Sequence, residues 1–347
     1  MLEPPGSRTI AVVIAAMNAE RTIGRAIATA LAAPEVGEVV VVDDASSDGT
    51  ARAASAADDG SGRLVVHRLT RNGGPAAARN HAIARSSAPL VGLLDADDYL
   101  QPGRFARLLQ RAPEGWDMVA DDILIVPDTL GDASVETVAD RAKDAQLWLD
   151  LATFVRANIS RPDRPRGELG FVKPLLKRAF LERHGLRYDE RLRLGEDYAL
   201  YVSALASGAR FALVGACGYV AVERANSLSG RHSADDLQRI VDFDARCLAG
   251  LTKLSDDERN ALRLHQAATH RKAIHARVLE TRRRLGFTSA LAELFLHPRA
   301  WRHVVTETAR AKLRRAVRRE AGTPGVRLLL DGQSVATPAA SNPAGTP

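Results

Sequence analysis

The chain has 347 residues, of which 46% are hydrophobic and 26% charged, so it is not disordered as a whole. Its two cysteines, Cys217 and Cys247, exclude a disulfide framework and a cysteine zinc site. Residues 1–250 contain 30 Lys and Arg against 34 Asp and Glu, whereas residues 251–320 contain 17 against 7. The basic character therefore lies in the C-terminal part, where it predicts a partner at the surface.

The N-terminal sequence MLEPPGSRT contains no apolar secretion signal, and the longest apolar run, residues 10–17, is too short to cross a bilayer. We therefore expect a cytoplasmic protein. β-branched apolar runs then predict strands at residues 9–16, 38–44, 63–69 and 90–95. Helical spacing and capping signals predict helices at residues 19–33, 46–57 and 74–86. This alternation predicts an α/β fold with a mostly parallel central sheet and helices on both faces.

The pattern changes after residue 116. Further elements are a strand at 117–126, helices at 144–157 and 197–208, and two short paired strands at 210–215 and 218–223. From Ala234 onward the chain is Arg-rich and predicts helices almost without strands. We expect an α/β domain over residues 1–232, a basic helical extension over 233–320 and a disordered tail over 321–347.

Acidic side chains end or follow three apolar segments: Asp43-Asp44, Asp95/Asp97/Asp98 and Glu196-Asp197. Ligands of open α/β sheets bind beyond the carboxyl ends of the strands, so the first two groups are expected to border one crevice. Mg²⁺ and Mn²⁺ bind through one or two carboxylates together with substrate phosphates. The segment Asp95-Ala96-Asp97 is thus a candidate metal and diphosphate site, although any one acidic turn taken alone is also explained as a solvated turn.

The sequence lacks the P-loop motif and the Gly-x-Gly-x-x-Gly loop of dinucleotide-binding proteins. Its Gly-rich basic stretch is RNGGPAAARNHA, residues 71–82, which places Arg79 in the first turns of a helix. Two interpretations of Arg79 remain open: a solvated loop arginine, or a cation beside a diphosphate.

Five segments in order and with matching spacing resemble glycosyltransferase family 2. They are VVIAAMNAERTIGRAIATAL, EVVVVDDASSDGT, RNGGPAAARNHAI, LVGLLDADDYLQPGRF and LGEDYALYVSALASG. The resemblance covers residues 8–230 and implies the GT-A fold, an inverting sugar transfer and a nucleotide-sugar donor, usually a UDP-sugar, held with Mn²⁺ or Mg²⁺. The order, together with RANSLSGRHS at 224–233, is most similar to bacterial exopolysaccharide glucosyltransferases of the succinoglycan type.

The resemblance also implies roles for single residues. The expected donor-binding residues are Ala15, Asn18, Glu20, Asp44, Arg79, Asp95, Ala96 and Arg224. Asp97 is expected to ligate the metal directly, and Asp95 to face the ribose and the metal. Asp197 matches the general base that deprotonates the acceptor hydroxyl, with Glu196 beside it. The same acidic pair is also explained as the favourable first turn of a helix.

The resemblance implies a glycan or polyprenyl-linked saccharide as the acceptor. Residues 265–320 mix arginine clusters with apolar residues, as in helices that lie on an anionic membrane surface. Apolar residues that pack on the α/β domain explain the same pattern. We expect a cytoplasmic enzyme that is peripheral at the inner face of the membrane.

Other functions fit less well. A nucleotidyltransferase would show a Gly-rich basic loop directly after the first strand, where this chain has AAMNAERT. A nucleic-acid-binding protein would interleave aromatic residues with its basic ones, but aromatic residues make up 5% of the chain, so no nucleic-acid partner is expected. An inactive scaffold with this fold would have no need of Asp95, Asp97 and Asp197.

Overall fold

The structure, a computed structural model, describes residues 9–128, 146–160, 167–223, 232–298, 301–318 and 326–330. The strands in these ranges are β1 (Ile10–Ala16), β2 (Val36–Asp43), β3 (Leu64–Arg68), β4 (Leu90–Leu93), β5 (Tyr99–Leu100), β6 (Met118–Pro127), β7 (Gln146–Leu149), β8 (Leu175–Lys177), β9 (Phe211–Glu223) and β10 (Arg327–Leu328). The α-helices are α1 (Ile23–Leu31), α2 (Thr50–Ala56), α3 (Pro75–Ala84), α4 (Arg104–Arg111), α5 (Leu151–Ala157), α6 (Arg178–Arg183), α7 (Glu196–Ala206), α8 (Ala234–Gly250), α9 (Asp256–Leu285), α10 (Phe287–Phe295) and α11 (Trp301–Arg318).

All described strands form one sheet in the order β3-β2-β1-β4-β8-β6-β9-β5, with β10 beside β6 and β7 beside β9. Strands β1 to β4 pair in parallel, β8 runs antiparallel between β4 and β6, and β9 pairs in parallel with β6. Every residue of β1 except Ala15 is buried, as in a strand that is covered on both faces. The predicted α/β fold with a mostly parallel sheet is confirmed.

One predicted helix, at residues 144–157, is wrong in its first half. Residues 146–149 form β7, which pairs antiparallel with β9. The helix begins only at Leu151, because the side chain of Asp150 accepts a hydrogen bond from the N–H of Thr153 (2.7 Å) and caps it. The sequence contains this capping signal, because Asp150 directly follows the segment QLWL.

The two short strands predicted at 210–215 and 218–223 are one continuous strand, β9. Both halves pair in parallel with β6, so they are not partners of each other. The register shifts between Asp121, opposite Val214, and Ile123, opposite Tyr219. Residues 215–218 therefore form a wide irregularity, in which Gly218 takes a positive φ of 121°.

The C-terminal part is mainly helical, as predicted, and part of it shares the core of the sheet. The hydrophobic core around the sheet includes Ile240 and Phe243 of α8 and Leu262 of α9. The expected division at residue 232 stays a prediction. Among the described residues, none of the helices combines the length and apolarity needed to span a bilayer.

Residues 326–330 differ from the disordered tail expected over 321–347. Arg327 and Leu328 pair antiparallel with Ile125 and Leu124 of β6, and Leu329 is buried. Val326 and Leu328 pack against the cluster that contains Leu124 and Val126 of β6. The remaining tail residues lie outside the described ranges.

Candidate active site

The loops after β1 and β2 are joined by side chains that were expected to bind the donor. Asn18, with a φ of 51°, donates its N–H to Ser46 Oγ (2.9 Å), and its Oδ1 accepts the N–H of Ser47 (2.9 Å). Glu20 Oε2 accepts the N–H of Gly49 (3.1 Å). The structure thus gives Asn18 and Glu20 a local role, because they hold the two loops together at the carboxyl edge of the sheet.

Asp44 is buried and bonded to the loop that precedes α3. Its Oδ1 accepts the N–H of Gly73 (2.7 Å), and its Oδ2 accepts the N–H of Gly74 (2.8 Å) and the Nδ2 of Asn72 (2.8 Å). Gly74 has a φ of 87°, a conformation that a side chain would strain. Asp44 therefore shapes this loop, and its contact with a nucleotide base stays a prediction.

The three aspartates after β4 lie in different environments. Asp98 is buried and accepts hydrogen bonds from Tyr219 Oη (2.8 Å) and the N–H of Val222 (3.0 Å), so it ties the segment to β9. Burial raises the pKa of Asp98, and the charges of Asp95 and Asp97 raise it further. Tyr219 Oη also accepts the N–H of Asp95 (3.1 Å). Asp95 and Asp97 are left half-buried beside the crevice.

Arg79 is the centre of a cluster of five charged side chains, named here the charge cluster: Arg79, Asp95, Lys173, Glu196 and Asp197. Its Nη2 lies 2.7 Å from Asp95 Oδ1, and its Nη1 lies 2.6 Å from Glu196 Oε1 and 3.3 Å from Asp197 Oδ1. Although burial alone would lower it, Asp197 and Asp95 hold the pKa of Arg79 above its ordinary value. The structure contradicts the interpretation of Arg79 as a solvated arginine, because its guanidinium is buried and bonded within the protein. A position beside a diphosphate stays a prediction.

Lys173, on the loop before β8, is the member of the charge cluster that sequence reasoning missed. It is buried, and its Nζ lies 2.7 Å from Asp197 Oδ2 and 2.9 Å from Asp95 Oδ2. Burial alone would raise the pKa of Asp95, but Lys173 and Arg79 hold it below its ordinary value. The only signal in the sequence is a single lysine within the apolar stretch GFVKPLL.

Glu196 and Asp197 begin α7, after Gly195 in a left-handed conformation (φ 72°). Both lie in the first turn of this helix, as the simpler interpretation predicted, but their side chains are only 13% and 9% exposed, so this turn is not solvated. Asp197 Oδ1 also accepts a hydrogen bond from Tyr188 Oη (3.1 Å). Burial raises the pKa of Glu196, and Arg79 offsets part of that rise.

Among the remaining predicted donor-binding residues, the two alanines offer little side-chain chemistry. Ala15 is half-buried in β1 and Ala96 is buried after β4. Arg224 lies outside the residues that the structure describes.

The fit of a divalent cation differs between the two predicted ligands. Both oxygens of Asp95 are ion-paired, with Arg79 and with Lys173, so two cations already lie against this carboxylate. Asp97 is half-buried, and one carboxylate with donor phosphates is a common arrangement for Mg²⁺ and Mn²⁺. Within the described ranges, no three His, Cys, Asp or Glu side chains form a metal-binding group. A cation therefore fits better at Asp97 than at Asp95, where Arg79 and Lys173 would repel it, and both ligand roles stay predictions.

Comparisons with known proteins agree with this geometry. Residues 11–157 match the sequence model of Glycosyl transferase family 2. The chain is 49% identical over 291 residues to the succinoglycan biosynthesis protein ExoU of Rhizobium meliloti (strain 1021), which covers 84% of each protein. It is 35% identical over 315 residues to ExoO of the same strain, which covers 88% of this chain and 86% of ExoO.

Two solved structures share the fold. The crystal structure of S. aureus TarS 1-349 in complex with UDP-GlcNAc has a TM-score of 0.59 at 16% identity, over 78% of this chain and 80% of TarS. The mannosyltransferase PcManGT from Pyrobaculum calidifontis, in complex with GDP-Man and Mn²⁺, has a TM-score of 0.52 at 20% identity, over 88% and 86%. The predicted GT-A fold is thereby confirmed. Because nearly half of the residues are identical to ExoU over most of both proteins, the chain belongs to glycosyl transferase family 2, as its five motifs predicted.

Proposed function

We propose that the protein is an inverting glycosyltransferase of exopolysaccharide synthesis, which moves a hexose from a UDP-sugar to a hydroxyl of a glycan or lipid-linked saccharide. The two relatives named for succinoglycan biosynthesis support the pathway, and the TarS complex with UDP-GlcNAc supports the class of donor. One observation carries the proposal: the charge cluster joins Asp197 on α7 to Asp95 at the edge of the sheet through shared cations.

The chemistry follows from Asp197 as the general base. The acceptor oxygen attacks the anomeric carbon from the face opposite the diphosphate, and the bond from this carbon to the diphosphate oxygen breaks. The electron pair of that bond leaves with the nucleoside diphosphate, while Asp197 takes the hydroxyl proton. Lys173, Arg79 and Tyr188 contact the Asp197 carboxylate, which has about four acceptor positions. One acceptor position of Asp197 therefore stays available for the proton. Because the reaction is a single displacement, it inverts the configuration at the anomeric carbon.

Asp97 is the residue that would hold Mn²⁺ or Mg²⁺ in this proposal, together with the donor phosphates. A bound divalent cation stabilises the negative charge that develops on a departing diphosphate. Arg79 and Lys173 are buried, so they act on the donor side by keeping Asp95 ionised and fixed. Asp95 then serves as an acceptor for hydroxyl groups of the donor.

A donor screen tests the proposal. We expect one UDP-sugar to release nucleotide faster than the GDP-sugars, in Mn²⁺ and not in EDTA. Asp97→Ala should weaken Mn²⁺-dependent UDP binding by at least about tenfold, which is 1.4 kcal/mol, measured by calorimetry. The control is Asp235→Ala, on the exposed first turn of α8, which should bind UDP as the parent chain does. Release from GDP-sugars alone would contradict the donor class, and unchanged affinity in Asp97→Ala would contradict the metal site.

We further propose that the C-terminal helices rest on the anionic cytoplasmic face of a membrane. One side of α10 packs on α9 through Ala290 and Leu294. The apolar side chains that remain exposed near the helix ends are Leu285, Phe287, Phe295, Leu296 and Trp301. The exposed arginines 282–284 directly precede Leu285 in α9. Packing among the described residues does not account for these side chains, whereas apolar contact with lipid and arginine contact with headgroups does.

Vesicle co-sedimentation tests this surface. We expect the parent chain to bind vesicles of anionic phosphatidylglycerol at low salt and to lose binding as salt rises, because charge attraction is screened over about 10 Å at 0.1 M. The double variant Phe295→Ser with Trp301→Ser should bind more weakly. Val65→Ser, which changes an exposed apolar residue of β3, should bind like the parent chain. Negligible binding of the parent chain, or equal binding of the double variant, would rule the surface out.

A further inference from the structure

Lys173 connects the two sides of the candidate active site. Asp95 follows β4, on the side expected for the donor, and Asp197 lies in the first turn of α7, on the side expected for the acceptor. The Lys173 ammonium lies within 2.9 Å of an oxygen of each carboxylate, and the residue is only 6% exposed. A single buried cation therefore bridges two carboxylates with different expected tasks.

The backbone of Lys173 is itself fixed by a buried ion pair. Arg104 Nη2 lies 2.6 Å from Asp121 Oδ1 and donates a hydrogen bond to the carbonyl oxygen of Lys173 (2.8 Å). Both members of the pair are almost fully buried. β8 begins two residues after Lys173. The ion pair therefore fixes the backbone position from which the lysine side chain extends.

Arg79 does not duplicate this bridge. Its shortest contacts are with Glu196 (2.6 Å) and Asp95 (2.7 Å), whereas its distance to Asp197 is 3.3 Å. The charge cluster contains three carboxylates and two cations. Without Lys173 it would contain three carboxylates and one cation. The repulsion between the buried carboxylates would then move the side chains of Asp197 and Asp95 away from each other.

We propose that Lys173 is a positioning residue of the transfer reaction, which holds Asp197 in line with the donor by bonding Asp197 and Asp95 at once. This inference rests on the proposed role of Asp197 as the base. A base displaced by about 1 Å costs on the order of 100-fold in rate, while the binding of the nucleotide depends mostly on other groups. The loss of Lys173 should therefore lower kcat much more than it changes donor affinity.

The test compares Lys173→Met, Lys173→Arg and the control Lys177→Met, whose lysine lies over the Trp116 ring outside the charge cluster. Nucleotide release is measured with the UDP-sugar that reacts fastest in the donor screen, and UDP affinity is measured by calorimetry. We expect Lys173→Met to lower kcat at least about 100-fold and to change UDP affinity less than about threefold. Lys173→Arg should recover at least about tenfold of that loss, since it restores the cation. Lys177→Met should match the parent chain.

A Lys173→Met chain with parental kcat, or one whose UDP affinity falls as much as its kcat, would overturn the inference. If Lys173→Met does not fold, Lys173→Arg decides: a folded arginine variant that retains activity supports the bridge, and a folded inactive one overturns it. Asp197→Asn is measured alongside. If Asp197→Asn keeps parental kcat, the proposed base is wrong; if it is inactive while Lys173→Met is active, only the role of Lys173 is wrong.

Discussion

Asp197→Asn is expected to lower kcat by at least about 100-fold while UDP affinity stays near that of the parent chain. Asparagine keeps the shape of the side chain: its oxygen can still accept the hydrogen bond from Lys173, and its amide group can donate one to the Tyr188 hydroxyl, but it cannot take a proton from the acceptor hydroxyl. The measurement is steady-state nucleotide release with the best UDP-sugar of the screen, together with calorimetry of UDP binding.

Glu196→Gln is the matched comparison for this variant. Glu196 is similarly buried and contacts the same arginine. Glu196→Gln and Asp197→Asn each remove one negative charge from the charge cluster. We expect Glu196→Gln to keep most of the activity, because Glu196 contacts Arg79 and is not bridged to Asp95 by Lys173. If Glu196→Gln is inactive and Asp197→Asn is active, then Glu196 is the base.

Arg104→Met should destabilise the fold by about 3–5 kcal/mol, because it leaves the fully buried Asp121 carboxylate without its cation. Asp121 also accepts the N–H groups of Cys217 and Tyr219, so the same loss loosens the irregular part of β9. The free energy of unfolding, measured by urea titration, checks the prediction.

Two further chains make the stability test specific. Arg52→Met removes an exposed ion pair with Glu20 and should cost at most about 0.5 kcal/mol, since solvent screens such pairs. Adding Asp121→Asn to Arg104→Met should recover part of the stability, because it removes the uncompensated charge and keeps a hydrogen-bond acceptor. If Arg104→Met costs no more than Arg52→Met, the buried pair does not stabilise the fold as argued.

The sequence by itself determined the N-terminal half of the sheet. The strands there are short apolar runs and the helices carry apolar residues at helical spacing, so each element is specified by residues close together in the chain. For the same reason it placed Asp95 and Asp97 after β4 and Glu196 and Asp197 at the start of α7. The five motifs also identified the family, because their order and spacing are properties of the sequence.

The tertiary structure alone decided which of these charges meet. Arg79 and Glu196 are 117 residues apart, and Arg104 and the carbonyl of Lys173 are 69 apart, so no local pattern indicates either contact. Whether an arginine or lysine is solvated or buried depends on carboxylates brought to it by other elements, since burial of a charge is favourable only with such partners. The contacts of Arg79 and Lys173, and the continuity of β9 along β6, therefore follow from the packing of the sheet and not from the sequence around them.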